Sequence, residues 1–297
     1  MKTNVPPSDP VATRSGISWS STIPFTLIHV VALGVFWVGV SPVAIAVCLA
    51  LFWARMFAIT GFYHRYLSHR SYKTSRWFQF VFALLGNSAT QKGPLWWAAH
   101  HRHHHLYSDQ EEDVHSPTRR GFFYSHMGWV FDRINSRTRL RLVPDLAKFP
   151  ELRALDRFDV LVPVLLGTAC FGLGVLLEAK APGLGTSGTQ MLIWGFFVST
   201  VILSHSTFTI NSLSHVFGKR RFETKDTSRN NLVLALLTFG EGWHNNHHHY
   251  PTSARQGFYW WEIDITYYGL LLLSKVGLIW DLKRVPSRIL RQEAAAA

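Results

Sequence analysis

The chain holds 16 histidines in 297 residues, and most of them fall in four short runs. These are His64-Arg65-Tyr66-Leu67-Ser68-His69, His100-His101-Arg102-His103-His104-His105, Asn211-Ser212-Leu213-Ser214-His215 and His244-Asn245-Asn246-His247-His248-His249. Neutral imidazole is a metal ligand. On a helix, positions i, i+3 and i+4 share a face. His244, His247 and His248 have that relation. The second run has it in two registers, His101/His104/His105 and His100/His103/His104, and spacing leaves both open. Asn211 and His215 are one turn apart. His64 and His69 are five apart, which suits one α-helical face less well; they are expected to straddle a helix end or to approach a metal from different angles. A zinc site takes about four ligands. At least eight histidines in repeated sets are enough for two metals. Imidazole suits Fe, Zn, Cu and Ni alike, so residue type does not name the metal. Soluble di-iron bundles use Glu and Glu-x-x-His ligands. Glu241 with His244 has that spacing but no second pair accompanies it, so the centre is expected to be almost wholly nitrogen.

Four histidines lie outside these runs. Isolated His29, His115 and His126 are read as satisfied side chains. His205 lies inside an apolar stretch, where an ionisable residue is a functional candidate by default. A His-rich metal transporter is a rival from another class. It predicts ligands along a path inside the spans, whereas nearly all lie outside them. A purely structural membrane protein leaves the ordered runs without a purpose.

The elements that must carry these residues are apolar. The chain is 47% hydrophobic and 14% aromatic with only 16% charged residues, against a usual ~25%, which argues against disorder. Two cysteines exclude a disulfide scaffold, a Cys₄ zinc site and an iron–sulfur site. A mean hydropathy of +0.07 is too polar for a chain buried wholly in lipid, so apolar and polar blocks must alternate. Residues 1–23 read as a flexible polar tail. Four stretches approach the ~20 residues a bilayer needs, at about 24–40, 43–61, 160–177 and 189–211. Trp77–Gln91 is uncharged but short, and reads as interfacial. The loops after the second and fourth spans are basic and the outer turns carry almost no charge, so the positive-inside rule places both termini and both polar regions in the cytoplasm. The expectation is an all-α integral membrane protein: one domain over 24–285, a cytoplasmic helical cap from 62–158 and 212–285, and a C-terminal tail over 286–297. Net charge is +12, but the basic residues flank apolar segments and form no recognition motif, which disfavours nucleic acid as partner.

From about Gly61 to Tyr268 the chain resembles the membrane fatty-acyl desaturases, specifically their acyl-CoA Δ9 (stearoyl-CoA-like) branch. The matching stretches are His64–Tyr72, Trp97–His105, Asn211–His215 and Gly240-Glu241-Gly242-Trp243-His244-Asn245-Asn246-His247-His248-His249-Tyr250-Pro251. The family pattern His-Arg-x-His-His aligns on His101, Arg102, His104 and His105. The paired His100-His101 and Asn245-Asn246 look like bacterial members, for which the location implied is the cell inner membrane. The resemblance implies two non-haem iron ions (Fe²⁺) held by His64, His69, His101, His104, His105, His215, His244, His247 and His248, with Asn211 reaching one metal through water. Animal members often have Trp where this chain has Phe208, near the bend of the acyl tunnel, which puts chain-length preference in question. No His-Pro-Gly-Gly haem motif occurs, so no fused cytochrome b5 domain is expected. His244 opens the last run where front-end desaturases have Gln, which disfavours that subclass.

The implied activity is O₂-dependent formation of a cis double bond near C9 of a saturated acyl thioester, acyl-CoA or another. Electrons would come from a separate donor: ferredoxin, cytochrome b5 or a reductase. A hydroxylase on the same centre is the nearest alternative. The cofactor carries the hard step, while the protein must place two CH₂ groups and exclude water. Carboxylates are expected behind the imidazoles, with Glu111, Asp113, Asp226 and Glu241 as candidates. Lys92, Arg119 and Arg120 are candidates for holding CoA phosphates, with contact to anionic membrane lipid as the other use for them.

Overall fold

The computed structural model describes residues 16–294. Almost all of its regular structure is helical, and four helices are long and apolar enough to cross a membrane: α1 (Trp19–Val38), α2 (Pro42–Ser68), and, further along the chain, Leu161–Lys180 and Gly188–His215. Between the two pairs lie α3 (Arg76–Asn87) and α4 (Pro94–Tyr107). The third and fourth spans are therefore α5 (Leu161–Lys180) and α6 (Gly188–His215). After them come α7 (Leu232–Leu237), α8 (His244–His249) and α9 (Ile265–Lys275). The two short strands Lys73–Thr74 and Ile279–Trp280 pair antiparallel and tie the segment after α2 to the one after α9.

Two boundaries differ from the sequence expectation. The tail over 1–23 is not loose throughout: residues 1–15 lie outside the described residues, but α1 begins at Trp19 and carries Pro24 inside it. Pro24 sits in the second turn, where it leaves Ser20 O without its intrahelical donor. The segment before it is pinned by Ser18 N–H to Phe131 O (2.7 Å) and Arg133 N–H to Gly16 O (2.7 Å). Second, α2 does not stop near residue 61. Its last eleven residues, Ala58–Ser68, continue as a π-helix, all buried.

The start of α2 follows from Ser41-Pro42: the serine hydroxyl accepts from Ala44 N–H (3.1 Å) and the proline takes a position whose N–H has no partner. Helix α2 is the axis of the core. Its Met56, Ile59, Phe62, Tyr63 and Leu67 are buried against Leu95, Ala98 and Ala99 of α4, Leu203 of α6, Phe239 and Leu270. By contrast α1 and α5 leave Leu27, Val30, Phe36, Val164, Leu165 and Leu176 exposed, the all-round apolar surface of a lipid-facing helix.

Arg55 is fully buried in α2, with no carboxylate partner among the described residues. Its guanidinium donates to Leu51 O (3.1 Å), Ser88 O (3.3 Å), Thr200 Oγ1 (2.9 Å) and Ser199 Oγ (2.5 Å), linking α2 to α6 and to the turn after α3.

Candidate metal centre

The π-helical turn explains the five-residue spacing that α-helical geometry could not. A π-helix bonds i to i+5, and His69 N–H donates to His64 O across that interval (3.2 Å). Both imidazoles thereby reach one place. The wide turn is secured from outside: Tyr72 donates to Gly61 O (2.8 Å), and the Arg102 guanidinium donates to Leu67 O (2.6 Å) and Ser68 O (3.1 Å). Arg102 thus caps the carbonyl end of α2 and also pairs with Asp145 (2.7 Å).

Nine histidines gather into two groups. His64, His69, His101, His105 and His247 form one; His104, His215, His244 and His248 form the other. These are the nine that the resemblance implied. The face-sharing sets do not each serve one site. From α4, His101 and His105 enter the first group and His104 the second. From α8, His247 enters the first, and His244 and His248 the second. His100 belongs to neither. It is buried against Trp96 (ring centroids 4.2 Å), with Nδ1–H donating to Trp96 O (2.9 Å). His103 lies tilted against the Tyr107 ring (centroids 4.8 Å).

The ligand atoms face one another. Nε2–Nε2 separations are 2.7 Å for His69/His101, 2.9 Å for His105/His247, 3.0 Å for His64/His247 and 3.2 Å for His215/His244. Two nitrogens bound about 2.1 Å from one ion at right angles lie roughly 3 Å apart. The Nε2 atoms of His104 and His248 are buried with no hydrogen-bond partner. Converging lone pairs and orphaned nitrogens of this kind fit metal ions.

The other ring nitrogens show which atom bears the proton. His248 Nδ1–H donates to Asp226 (2.7 Å), His104 Nδ1–H to Asp113 (3.1 Å), and His64 is paired with Glu241. His215 Nδ1 lies 3.4 Å from Asp109 and 3.3 Å from Thr227 Oγ1. A proton held at Nδ1 leaves Nε2 free as ligand. Asp113 also sits near His115 (3.9 Å), so the further grouping of His104, Asp113 and His115 is this orienting carboxylate seen from behind.

Burial, followed by the charges of neighbouring histidines, pushes His69, His101, His105, His244 and His247 well below the ordinary imidazole range. Burial pushes His248 down to about 4 despite Asp226. For His104 the burial penalty is outweighed by Asp113, and its pKa rises. Asp109, Asp113 and Asp226 are held below the usual carboxylate range; burial opposes this, but the histidines they face prevail. Glu241 is lowered in the same way by His64 and Arg65. Most of the ligands are thus neutral, and four carboxylates stand behind them, matching the charge of two divalent ions.

Of the carboxylates expected, Asp113, Asp226 and Glu241 hold histidines. Glu111 does not: it faces solvent, and Asp109 occupies the place at His215. Sequence reasoning missed Asp109, and nothing in its neighbourhood distinguished it from Glu111. It also missed Gln256, which contacts His64 Nδ1 (3.2 Å) and donates to Glu241 (3.0 Å). Buried Arg65 joins Glu241 (3.1 Å) to Asp264 (2.9 Å). Gly240, at φ +118°, lets Asp264 and Arg65 come this close; a Cβ there would lie 2.4 Å from Asp264 Oδ1. The Asn-Asn pair of α8 is structural. Asn245 Oδ1 accepts from Arg221 N–H (2.8 Å) and Phe222 N–H (2.7 Å), and Asn246 Oδ1 accepts from Asn230 (2.7 Å).

A cavity of about 220 Å³ opens from both groups and runs between α1, α2 and α6. His64, His101, His104 and His244 line it, with Ile59, Phe25 and Ile28 on its apolar wall. Asn211 and Phe208 also line it, as does Lys92. Arg119 and Arg120 do not. They are exposed on the short helix Pro117–Arg120, where Arg119 donates to Asp109 O (3.0 Å) and Arg120 lies over the Tyr124 ring.

Two adjacent all-histidine groups beside an apolar cavity at the ends of membrane-length helices narrow the possibilities, and comparison with known proteins completes the assignment. The fatty acid desaturase model matches residues 40–271. The chain belongs to the fatty acid desaturase family. This desaturase is 36% identical over 275 residues to the sn-1 stearoyl-lipid 9-desaturase of Anabaena variabilis, covering 92% of this chain and 96% of the relative. It is 37% identical over 255 residues to the Delta-9 acyl-lipid desaturase 1 of Arabidopsis thaliana, covering 85% and 79%. An acyl-CoA 5-desaturase of Anemone leveillei is 35% identical over 287 residues, covering 91% and 82%. Relatives therefore include enzymes named for acyl-lipids as well as for acyl-CoA.

Proposed function

We propose that this desaturase introduces a cis double bond near C9 of a saturated acyl chain at two iron ions, using O₂ and two electrons from a separate donor such as ferredoxin, cytochrome b5 or a reductase. The observation that carries the reading is the division of nine histidines into two groups facing one apolar cavity. His64, His69, His101, His105 and His247 would hold one ion. His104, His215, His244 and His248 would hold the other, with Asn211 reaching it through water. Bound iron supplies the activation of O₂ and the oxidising power to take two hydrogens from unactivated CH₂ groups.

This chain's own residues do the rest. Glu241, Asp113, Asp109 and Asp226 keep protons at Nδ1 and hold the rings in place. Ile59, Ile28 and Phe25 surround the alkyl chain and exclude water. Phe208, on α6 three residues before Asn211, sets the path of the chain past the centre. Hydroxyls of Thr60, Thr200, Ser204 and Thr207 line the same cavity, but Thr60, Thr207 and Thr200 are already engaged, with Thr266 (2.7 Å), Gln91 (2.8 Å) and Arg55 (2.9 Å).

The acyl carrier is where the reading moves from the sequence expectation. CoA phosphates call for clustered cations. Of the three expected, only Lys92 lines the cavity, while Arg119 and Arg120 turn away. Relatives named for acyl-lipids point the same way. We therefore propose an acyl chain carried on a membrane lipid, reached from a membrane in which the termini and the histidine face lie on the cytoplasmic side.

The test is expression in a desaturase-deficient host beside a His101→Ala, His104→Ala double variant. Fatty acids are released separately from each lipid class and from acyl-CoA, and double-bond position is mapped by mass spectrometry. The expected result is a new C9 monoene in lipid-bound chains, absent from the variant. A monoene appearing first in acyl-CoA would overturn the carrier assignment, and a hydroxylated product would overturn desaturation.

A further inference from the structure

Three histidines outside both metal groups form a continuous chain. His29 of α1 meets His205 of α6, Nε2 to Nε2 at 3.0 Å. His205 Nδ1 meets His126 Nε2 at 3.0 Å. His126 Nδ1 meets Ser212 Oγ at 2.9 Å, and Ser212 Oγ lies 3.0 Å from Phe208 O. At the other end His29 Nδ1 is 2.7 Å from Phe25 O. His29 and Phe208 both line the cavity. Ser212 directly follows Asn211, which lines it too, beside His104 and His244.

The proton count is what sets this chain apart from the metal groups. A carbonyl only accepts, so His29 Nδ1 must carry a proton for Phe25 O. One complete pattern then has Ser212 donating to His126 Nδ1, His126 Nε2–H to His205 Nδ1, and His205 Nε2–H to His29 Nε2, with all three rings neutral. A second complete pattern runs the other way. His29 Nε2–H donates to His205, His205 Nδ1–H to His126, His126 Nδ1–H to Ser212, and Ser212 to Phe208 O. It contains one more proton, on His29. Every nitrogen has a partner in both patterns, and none of the three rings is among the buried orphans. Among the described residues no carboxylate is paired to any of them. The ionisable groups on neighbouring elements are engaged elsewhere: Tyr124 with Asp132 (3.0 Å), Arg120 over Tyr124 and Arg119 with Asp109 O.

We propose that His29, His205 and His126 are a one-proton store that feeds the metal centre through Ser212. This rests on the desaturation reading, whose balance is R–CH₂–CH₂–R′ + O₂ + 2 e⁻ + 2 H⁺ → R–CH=CH–R′ + 2 H₂O, with the electrons from a one-electron carrier protein. Two protons must reach a centre whose cavity is filled by an alkyl chain and is therefore dry. The store runs from the cavity wall at His29 through the packed helices to Ser212. In the charged pattern the Ser212 proton would pass to the water that the adjacent Asn211 is proposed to hold beside His104 and His244. The His126, His205 and His29 protons each shift one place to refill Ser212, which leaves the neutral pattern. His126, half-buried and outside the membrane spans, then takes up the replacement proton from solvent. These three are positioning and relay residues and touch no reacting atom.

The experiment uses the full-length protein in bilayers. With zinc bound and ¹⁵N-histidine incorporated, solid-state NMR should show His29 as the Nδ1–H tautomer and His205 and His126 as Nε2–H. All three should shift together over one single-proton titration. In His205→Gln that shared titration should separate into independent ones. With iron bound, His205→Gln and His126→Gln should keep two metals per chain and an unchanged KM. Their kcat should fall at least about ten-fold at pH 8, less at pH 6, with recovery on adding imidazole. Independent titrations in the wild type, or variants with wild-type kcat and pH profile, would overturn the store. A wild type with the shared titration but no unsaturated product would instead overturn the desaturation reading and the use assigned to the store with it.

Discussion

Replacing Asp226 by asparagine tests the logic of the centre at one atom. Asp226 Oδ2 accepts the Nδ1 proton of His248 (2.7 Å), while Oδ1 accepts from Ser228 N–H and from Thr224, each at 3.0 Å. The Asp226→Asn side chain has the same shape but one accepting atom. With its oxygen kept at Ser228 and Thr224, its amide protons face His248 Nδ1 and drive the ring to the other tautomer. The proton then sits on Nε2, the atom that must bind metal. With the amide flipped, two donors face its NH₂ group and their bonds are lost. The lost charge adds to this. Across the hydrogen bond, the ring and the metal–ligand bond, the carboxylate stands roughly 7 Å from a divalent ion, and Coulomb's law with ε near 20 bounds its contribution at about 5 kcal/mol. Loss of such an orienting partner ordinarily weakens metal binding roughly 10- to 100-fold, or about 1.4–2.8 kcal/mol. Because His248 belongs to the four-histidine group, only one of two ions should weaken. Titration of metal-free protein with Zn²⁺, followed by calorimetry and elemental analysis, should give two comparable sites in the wild type. The variant should have one unchanged site and one weakened by that factor. Equal weakening of both sites, or of neither, refutes the division into two groups.

Three other outcomes are expected. Asp264→Ala removes a partner of buried Arg65 and the N-cap of α9 (Tyr267 N–H, 2.9 Å), and should cost about 3–5 kcal/mol. Arg55→Met strands no charge and should cost about 1–2 kcal/mol, so thermal unfolding of the two variants should rank in that order. His100 and His115 are buried neutral with pKa values near 3, below the unfolded value. Their contribution is complete above about pH 6.5 and is lost as pH falls toward 3, at up to about 1 kcal/mol per pH unit per group. Melting temperatures of metal-free protein should therefore fall from pH 6.5 to 5.5, and His100→Phe should flatten that slope by about one proton. In α5, a Cβ at Gly174 would lie 2.4 Å from Ser187 O, whereas Gly172 meets nothing within 4 Å. Gly174→Ala should lower the yield of folded protein sharply and Gly172→Ala should leave it unchanged; similar behaviour of both variants would contradict the close approach of α5 to the start of α6.

The sequence made the ligands legible because metal chemistry restricts residue type and helical periodicity restricts spacing. It made the spans legible because a bilayer demands long uncharged runs. Neither constraint reaches the orienting shell. Asp109 faces His215 from 106 positions away, and Gln256 reaches His64 across 192; no local pattern links them. Glu111 and Asp109 lie two residues apart with the same charge, and only the turn after α4, where Asp109 adopts φ +60°, decides which points inward. The His-x₄-His spacing was visible but its meaning was not. The π-helical winding that reconciles it depends on Tyr72 and Arg102 capping carbonyls from other parts of the chain.

The division of the histidines has a consequence for how the protein holds together. A face-sharing triplet on one helix could have made a site almost by itself. Instead α4 and α8 each send ligands to both groups, while α2 supplies only the first and α6 only the second. Neither ligand set is complete until α2, α4 and α8, or α6, α4 and α8, are side by side. Without metal the facing ring nitrogens at 2.7–3.2 Å can share a proton only pair by pair, and the orphaned Nε2 atoms of His104 and His248 have nothing to bond. Such groups are costly to bury unpaired, whereas a divalent ion turns the same convergence into attraction. The carboxylates then have two roles, fixing tautomers and balancing the ions' charge. Because Arg65 ties Glu241 to Asp264 at the start of α9, the first ion is coupled to the segment that follows the last histidine run. Metal binding and tertiary assembly in this desaturase are therefore one linked equilibrium.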